Sequence, residues 1–171
     1  MPETRLERLD ERLLDELLLT AVDDADPAEV MPSVEGPPGW TPQRRDAFLT
    51  FHRARALATP PVETVYAVVV DGRVCGAARL EPPPGPGATV EAGIWLGRSC
   101  RGRGVGGRAL QLLAAQARGA GAVGLVAVTT AGNAGALGAL RQVGASLSPA
   151  HAPGTPVPEP AARVDARLDL S

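Results

Sequence analysis

The segment whose residue types indicate chemistry most directly is a glycine-rich run at 101–107, RGRGVGG, which separates a β-rich stretch from a helical one. Glycine lets the backbone approach an anion closely, and several N–H groups converge where a helix begins. The partial positive charge of a helix N-terminus favours phosphate. The run is also surrounded by arginines, namely Arg98, Arg101, Arg103 and Arg108. We therefore expect a pyrophosphate to bind at this loop.

Other structures also place glycines between a strand and a helix. The spacing from Gly104 to Ala109 fits the G-x-G-x-x-A pattern of dinucleotide folds, but those folds need an acidic residue after the next strand, and no Asp or Glu occurs between Glu91 and Glu159. The absence of lysine excludes a Walker-type phosphate loop and Schiff-base chemistry. A turn in which glycine serves backbone geometry alone remains as an alternative.

Composition narrows the class of protein further. The 171 residues fit one domain, and the core must be aliphatic, since the 44% of hydrophobic residues include few aromatics. Two Cys and two His lie too far apart in sequence for metal ligands, so we expect no metal site. No leader-like segment or apolar run long enough for a membrane span is visible. We expect a cytoplasmic protein with reduced thiols that binds neither membranes nor nucleic acid.

Hydrophobic periodicity predicts an α/β domain. The N-terminal half reads as strand 4–9, helix 11–22, a loop with one helical turn at 27–31, a helix from Thr41 to about Leu57, and three strands at 62–70, 73–80 and 89–96. Asp71-Gly72 predicts a hairpin turn between the first two of these three strands. After the glycine loop follow a helix at 108–118, a strand at 122–130, a helix capped by Asn133 and closed by Gly144, and strands at 145–147 and 161–170 around a Pro-rich loop at 148–160.

The strand Ile94-Trp95-Leu96, followed by Arg101-x-x-Gly104-x-Gly106, resembles the coenzyme A signature of the GNAT superfamily of acyl-CoA-dependent N-acyltransferases. Asn133-x-x-Ala136, a helix and Gly144 resemble the second motif of that family, and the order of elements from 4 to 170 is similar to its whole domain. The resemblance implies a mixed, mostly antiparallel central sheet that is splayed between its fourth and fifth strands and flanked by helices.

The resemblance also implies a cosubstrate, acetyl-CoA, and a set of residues that bind it without a metal. The N–H groups of the glycine loop would hold the pyrophosphate, and the edge of the strand before it would pair with the pantetheine amides. Asn133 would either contact pantetheine or cap its helix, and both roles remain open. The implied binding residues are Ile94, Trp95, Leu96, Arg101, Gly102, Arg103, Gly104, Val105, Gly106, Gly107 and Asn133.

In this family a neutral amine attacks the thioester directly, and the N–H of Leu96 would stabilise the oxyanion. Glu91 is the candidate general base, and its alternative role is that of an ordinary exposed strand residue. The tyrosine that serves as general acid in this family corresponds to Leu140 in this sequence. The single tyrosine of the chain, Tyr66, is expected in the core. Other possible proton donors are Thr129, Thr130 and Cys100, although Cys100 fits a small buried residue better.

We expect one N-acetyltransferase domain at 1–171, with the acceptor side at 1–60, the acetyl-CoA-binding core at 62–147 and the Pro-rich loop and last strand at 148–171. The predicted acceptor is a primary amine of a small molecule, and the protein a monomer or homodimer. An acidic first segment, eleven acidic residues against three Arg in the first 35, suits a cationic acceptor but is equally typical of a solvated helix. Alternatives are a peptide or protein acetyltransferase, or a non-catalytic acyl-CoA-binding module.

Overall fold

Seven strands form one central sheet in a computed structural model, which describes residues 1–149 and 162–171. The strands are β1 (Thr4–Arg8), β2 (Thr64–Val70), β3 (Arg73–Glu81), β4 (Thr89–Leu96), β5 (Gly124–Thr130), β6 (Ser146–Pro149) and β7 (Arg163–Asp169). The helices are α1 (Glu11–Asp24), α2 (Pro27–Val30), α3 (Pro42–His52), α4 (Val105–Gly119) and α5 (Ala134–Gln142). A π-helical turn, Arg53–Leu57, continues α3, and a 3-10 turn, Arg98–Cys100, follows β4.

The strand order is β1-β2-β3-β4-β5-β7-β6. Among the described strands the β4–β5 pair is parallel and the other five pairs are antiparallel. This confirms the expectation of a mixed, mostly antiparallel sheet. The predicted hairpin turn between β2 and β3 is also confirmed, since Asp71 and Gly72 have φ of 48° and 81°, the positive values that a two-residue hairpin turn requires.

The ladder between β4 and β5 is short. Thr89 to Ala92 pair with Gly124 to Ala127, whereas from Gly93 to Leu96 the described chain offers β4 no partner on the β5 side. On the other side, β3 pairs with β4 along its length as far as Leu96. The sheet is therefore splayed between its fourth and fifth strands, as predicted.

Two hydrophobic cores lie on opposite faces of the sheet, because side chains alternate along each strand. From β2, Val68 packs into the core beneath α4, while Ala67 packs into the core beneath α1 and α3. In β4, Ile94 and Leu96 likewise pack toward α4, and Trp95 toward α1 and α3. Helix α4 thus covers one face of β4, and helices α1 and α3 cover the other.

The glycine loop is shorter than predicted, because α4 begins at Val105 rather than at 108. Gly104, with φ of 77°, is the helix N-cap, and Val105 is 1% exposed in the core. Glycine content alone favours a loop through Gly107, but burial of Val105 draws the next residues into the first helical turn. Elsewhere β6 continues to Pro149, into the predicted Pro-rich loop, and residues 150–161 lie outside the described residues.

The expectation of two reduced thiols is wrong, because Cys75 and Cys100 form a disulfide with Cα atoms 6.2 Å apart. Antiparallel pairing of β3 with β4 brings these residues together although 25 positions separate them, and the N–H of Gly97 donates to the carbonyl of Cys75 at 2.8 Å. Sequence separation therefore concealed their proximity. None of the helices in the described ranges is long and apolar enough to cross a membrane.

Candidate functional site

A cavity of about 780 Å³ opens where β4 and β5 part, and we call it the splay cavity. Its walls come from the end of β4, the glycine loop with the first two turns of α4, the end of β5, and α5 along its length. The cavity thus lies against the β4 edge that β5 leaves unpaired. Backbone N–H and C=O groups at such an edge need hydrogen-bond partners, so the edge favours an extended, amide-bearing ligand.

The glycine loop provides space and donors for an anion. Gly104 at the N-cap has no side chain to accept from the first N–H groups of α4, so these donors are available to a ligand. A Cβ at Gly106 would have Leu96 Cδ1 at 3.8 Å as its nearest neighbour, which is ordinary contact. The backbone of this turn is therefore open toward the splay cavity.

Arg101 connects the loop to β4 and to α2. Its Nε donates to the carbonyl of Leu96 at 2.9 Å, and its guanidinium lies 3.4 Å from Glu29 Oε2. Glu29 is also 3.9 Å from the guanidinium of Arg98. Two arginines next to the phosphate-binding N–H groups therefore share one carboxylate, and a phosphate would compete with Glu29 for both.

Most predicted cofactor residues surround the splay cavity. Those that line it are Ile94, Trp95, Leu96, Arg101, Gly102, Gly104, Gly106, Gly107 and Asn133. Val105 instead buries its side chain in the core, and Arg103 is exposed. Asn133 accepts a hydrogen bond from Ala136 N at 3.0 Å and so caps α5, which leaves its amide NH₂ group available to donate.

Leu140, at the position of the family's tyrosine, is 5% exposed and packs with Leu110 and Ala166 while also lining the splay cavity. Tyr66 lies in the core, as expected, and is 8% exposed. Cys100 is disulfide-bonded and so offers no thiol proton. Of the remaining proposed proton donors, Thr129 lines the cavity.

Glu91 is held by an arginine rather than exposed alone. Its Oε1 accepts from Arg79 Nη2 at 2.7 Å, and its side chain is 46% exposed. The arginine reaches it by passing over Gly93, where a Cβ would come within 2.8 Å of Arg79 Nε. A side chain at position 93 would collide with Arg79, so glycine there is what allows Arg79 to reach Glu91.

A second cavity, of about 330 Å³, lies on the other side of β4 beneath the end of α3, and we call it the α3 cavity. It shares Glu29, Gly93, Ile94 and Trp95 with the splay cavity, so the two meet at the unpaired part of β4. Two buried titratable residues, His52 and Glu63, contribute to its lining. Neither was identified from the sequence.

His52 is 4% exposed, and burial lowers the pKa of its imidazole to about 4. Phe48 and Phe51 pack edge-on against the ring, with centroids at 4.5 Å and 5.3 Å. Neither ring nitrogen has a hydrogen-bond partner within residues 1–149 and 162–171. The side chain is therefore a neutral imidazole at physiological pH that can still accept and donate one hydrogen bond each.

Glu63 precedes β2, and only 2% of its side chain is exposed. Its Oε1 has no hydrogen-bond partner in the part of the chain that the structure describes. Period-two alternation was the available signal: Glu63 continues the inward series of Val65, Ala67 and Val69, all of them buried. As for metals, no cluster of three or more His, Cys, Asp or Glu side chains suited to bind an ion occurs within the described ranges.

Comparison with known proteins agrees with this geometry. A family profile described as the acetyltransferase (GNAT) family matches residues 27–145, which include the β4 strand, the glycine loop and α5. The chain therefore belongs to the GNAT acetyltransferase family. No curated protein matches it in sequence.

Several solved structures share the fold. The GNAT domain of S. lividans PAT is 16% identical, with a TM-score of 0.67 over 98% of this chain and 90% of that one. Salmonella typhimurium yncA, an acetyltransferase solved with its cofactor acetyl-CoA, is 20% identical, with a TM-score of 0.65 and coverages of 98% and 94%. RimL, a ribosomal alpha-N-protein acetyltransferase, is 14% identical, with a TM-score of 0.66 and coverages of 98% and 93%.

The burial of His52 predicts a pH dependence of stability. The pKa falls from 6.5 to about 4 on folding, so between these values the unfolded chain binds a proton that the folded protein does not. Stability therefore decreases as pH falls, by roughly 2 kcal/mol from this residue between about pH 7 and about pH 5. Denaturant unfolding between about pH 7 and about pH 5 should show this loss in the wild type and not in His52→Leu. If the free energy of unfolding changes equally with pH in both proteins, the prediction is wrong.

Proposed function

We propose that the protein transfers an acetyl group from acetyl-CoA to a primary amine of a small molecule, by direct attack in a ternary complex. The observation that carries this proposal is that two cavities meet at the unpaired residues of β4, one of them beside an anion-binding loop. A thioester and an amine that enter from opposite sides would meet at this strand. Family membership and the acetyl-CoA complex of yncA support the same cosubstrate.

In the proposed complex the pyrophosphate lies on the N–H groups of the loop and the first turn of α4, and pantetheine lies along the unpaired edge of β4 that ends at Leu96. The N–H of Leu96 would then face the thioester carbonyl and stabilise the oxyanion. Asn133 would donate its amide NH₂ to pantetheine while its oxygen caps α5. No metal takes part in this scheme.

The α3 cavity is the proposed acceptor site. Its volume, about 330 Å³, is at the small end of ligand pockets and suits a compact molecule or a single residue rather than a folded surface. RimL acts on a protein α-amine, so a peptide N-terminus is the alternative acceptor, and a short residue would fit the same space. The oligomeric state, monomer or homodimer, does not alter this assignment.

The amine must lose a proton before or during its attack. An alkylamine of pKa about 10.4 is neutral only about one time in a thousand near neutral pH. Glu91 lies five positions before Leu96 on β4 and lines neither cavity, so it would accept the proton by way of bound water as the N–C bond forms and the C–S bond breaks. Coenzyme A leaves as a thiolate of pKa about 8.5, which needs no strong general acid, so Leu140 at the tyrosine position is compatible with catalysis.

A non-catalytic acyl-CoA-binding module is the second candidate, because Leu140 is buried among apolar residues and brings no proton donor. Release of free thiol from acetyl-CoA across a panel of primary amines separates the two. We expect thiol release with the wild type. Binding of acetyl-CoA without thiol release for any amine would favour the module.

The substitution Gly106→Val tests the proposed role of the glycine loop, with thiol release and acetyl-CoA affinity as the two measurements. The backbone of Gly106 is compatible with a side chain, but the added isopropyl group would project where the pyrophosphate is proposed to bind. Thiol release and acetyl-CoA affinity should both fall about tenfold or more. Gly119→Val, at the far end of α4 with open space around its Cβ, is the matched control and should retain both. Equal affinity in the two variants would contradict the assignment of the loop.

Glu91→Gln keeps the size of the side chain and removes its basic carboxylate. Turnover should fall about tenfold or more at neutral pH while acetyl-CoA affinity is unchanged. The loss should shrink as pH approaches the pKa of the amine, because the acceptor then arrives neutral.

Glu16→Gln, which removes an exposed carboxylate from α1, is the control and should behave as the wild type at every pH. A pH–rate profile of Glu91→Gln that overlies the wild-type profile would return Glu91 to the role of a surface residue.

A further inference from the structure

The acceptor cavity contains a carboxylate that the proposed reaction does not use. Glu63 lies on β2's side of the α3 cavity, whereas the acetyl group would be presented at β4, on its other side. Two inter-strand spacings of about 4.8 Å separate β2 from β4, or roughly 10 Å. A ligand group at Glu63 is therefore distinct from the group that attacks the thioester.

The surroundings of Glu63 carry excess negative charge. Three carboxylates, those of Glu63, Glu81 and Glu91, face two guanidinium groups, those of Arg55 and Arg79. The sum over these five side chains is one negative charge. An ammonium group would neutralise it, whereas an anion would double it.

The two arginines are engaged mainly with the other carboxylates. Arg55 contacts Glu81 at 2.7 Å, and Arg79 contacts Glu81 at 3.1 Å and Glu91 at 2.7 Å. Their contacts with Glu63 are longer, at 3.4 Å and 3.7 Å. Glu63 is thus the least well paired of the three carboxylates although it is the most buried.

One oxygen of Glu63 lacks a hydrogen bond. Oε2 accepts a long one from Arg55 Nη2 at 3.5 Å, whereas Oε1 is buried and only ion-paired with Arg55 Nε at 3.4 Å, without a hydrogen bond from any described residue. A buried carboxylate oxygen without a donor is costly, so a donor from a ligand is strongly favoured there. His52 lines the same cavity, stays neutral, and adds a nitrogen that can accept a hydrogen bond without repelling a cation.

Between Glu63 and β4 the cavity is lined by apolar side chains, including Met31, Phe51, Val65, Ala77 and Trp95, and by Arg79, whose guanidinium is engaged with Glu81 and Glu91. This lining suits a hydrocarbon spacer and excludes a polyhydroxylated body, whose hydroxyl groups would lack partners there. Of the roughly 10 Å between β2 and β4, about 3 Å is the hydrogen bond to Glu63. The remaining roughly 7 Å corresponds to about six bonds between the two nitrogens, hence to a spacer of about four to six carbons.

We propose that the α3 cavity binds a linear alkyl diamine, with one ammonium group on Glu63 and the other amine directed at the thioester on the unpaired part of β4. This inference rests on the proposed function for the role of the second amine. Glu63 is a binding residue in it: its carboxylate accepts hydrogen bonds from the distal ammonium and does not exchange a proton with the reacting nitrogen.

The test compares cadaverine with hexylamine, which has the same number of heavy atoms but a methyl group in place of the distal ammonium. Calorimetry with coenzyme A present should show cadaverine bound about tenfold or more tightly by the wild type, because a buried charge pair is gained. Glu63→Gln should abolish this preference and leave acetyl-CoA affinity unchanged. Glu11→Gln, which removes an exposed partner of Arg53, is the matched control and should keep the preference.

Equal or weaker binding of cadaverine by the wild type, or no binding of either amine, overturns the diamine site, and so does a preference that survives in Glu63→Gln. If Glu63→Gln does not fold, Glu63→Asp retains the charge but withdraws it by one carbon, and the preference should fall without vanishing; an unchanged preference overturns the site.

Thiol release with the same amines tests the reaction separately. A cadaverine preference without thiol release contradicts acetyl transfer alone, and thiol release without preference contradicts the diamine site alone.

Discussion

Backbone hydrogen bonding along β4 is the constraint on which the rest of the structure depends. At Glu91 and Ala92 the strand pairs on both sides, but from Gly93 to Leu96 it pairs with β3 alone among the described strands. The groups that β5 leaves free border a large cavity rather than a second strand. A ligand that carries its own amides can complete the ladder there, which links the shape of the sheet to the chemistry of pantetheine.

Alternation of side chains along this same strand separates its two faces. Leu96 packs toward α4, on the side of the glycine loop, whereas Trp95 packs toward α1 and α3, on the side of the α3 cavity. Gly93 is needed on the second of these faces, because the Arg79 side chain crosses it to reach Glu91. One strand of eight residues thus presents a backbone edge to the splay cavity and a side-chain face to the α3 cavity.

Local patterns predicted most of the residues that line the splay cavity. The glycine spacing and the Asn133 cap are short-range features, and the splay follows from the family that they resemble. Where prediction failed, the cause was tertiary: burial of Val105 starts α4 three residues early, and the pairing of β3 with β4 joins two cysteines 25 positions apart.

The α3 cavity could not be predicted from the sequence for a related reason. His52 ends one helix and Glu63 precedes a strand, and each looks like an ordinary polar residue at an element boundary. Only the packing of α3 over the sheet buries both against the same cavity. The roles of Glu91 and Leu96, which the sequence suggested by resemblance, remain proposals that depend on where the thioester lies.

Amide hydrogen exchange with and without acetyl-CoA measures that placement most directly. If the cosubstrate lies along the free edge of β4, exchange should slow within Gly93 to Leu96 and within Gly102 to Gly107. Amides from Thr89 to Ala92, which already pair with β5 or β3, should change little. Saturable binding of acetyl-CoA with protection elsewhere, and none in these two segments, would contradict the splayed strand as the site of acetyl transfer.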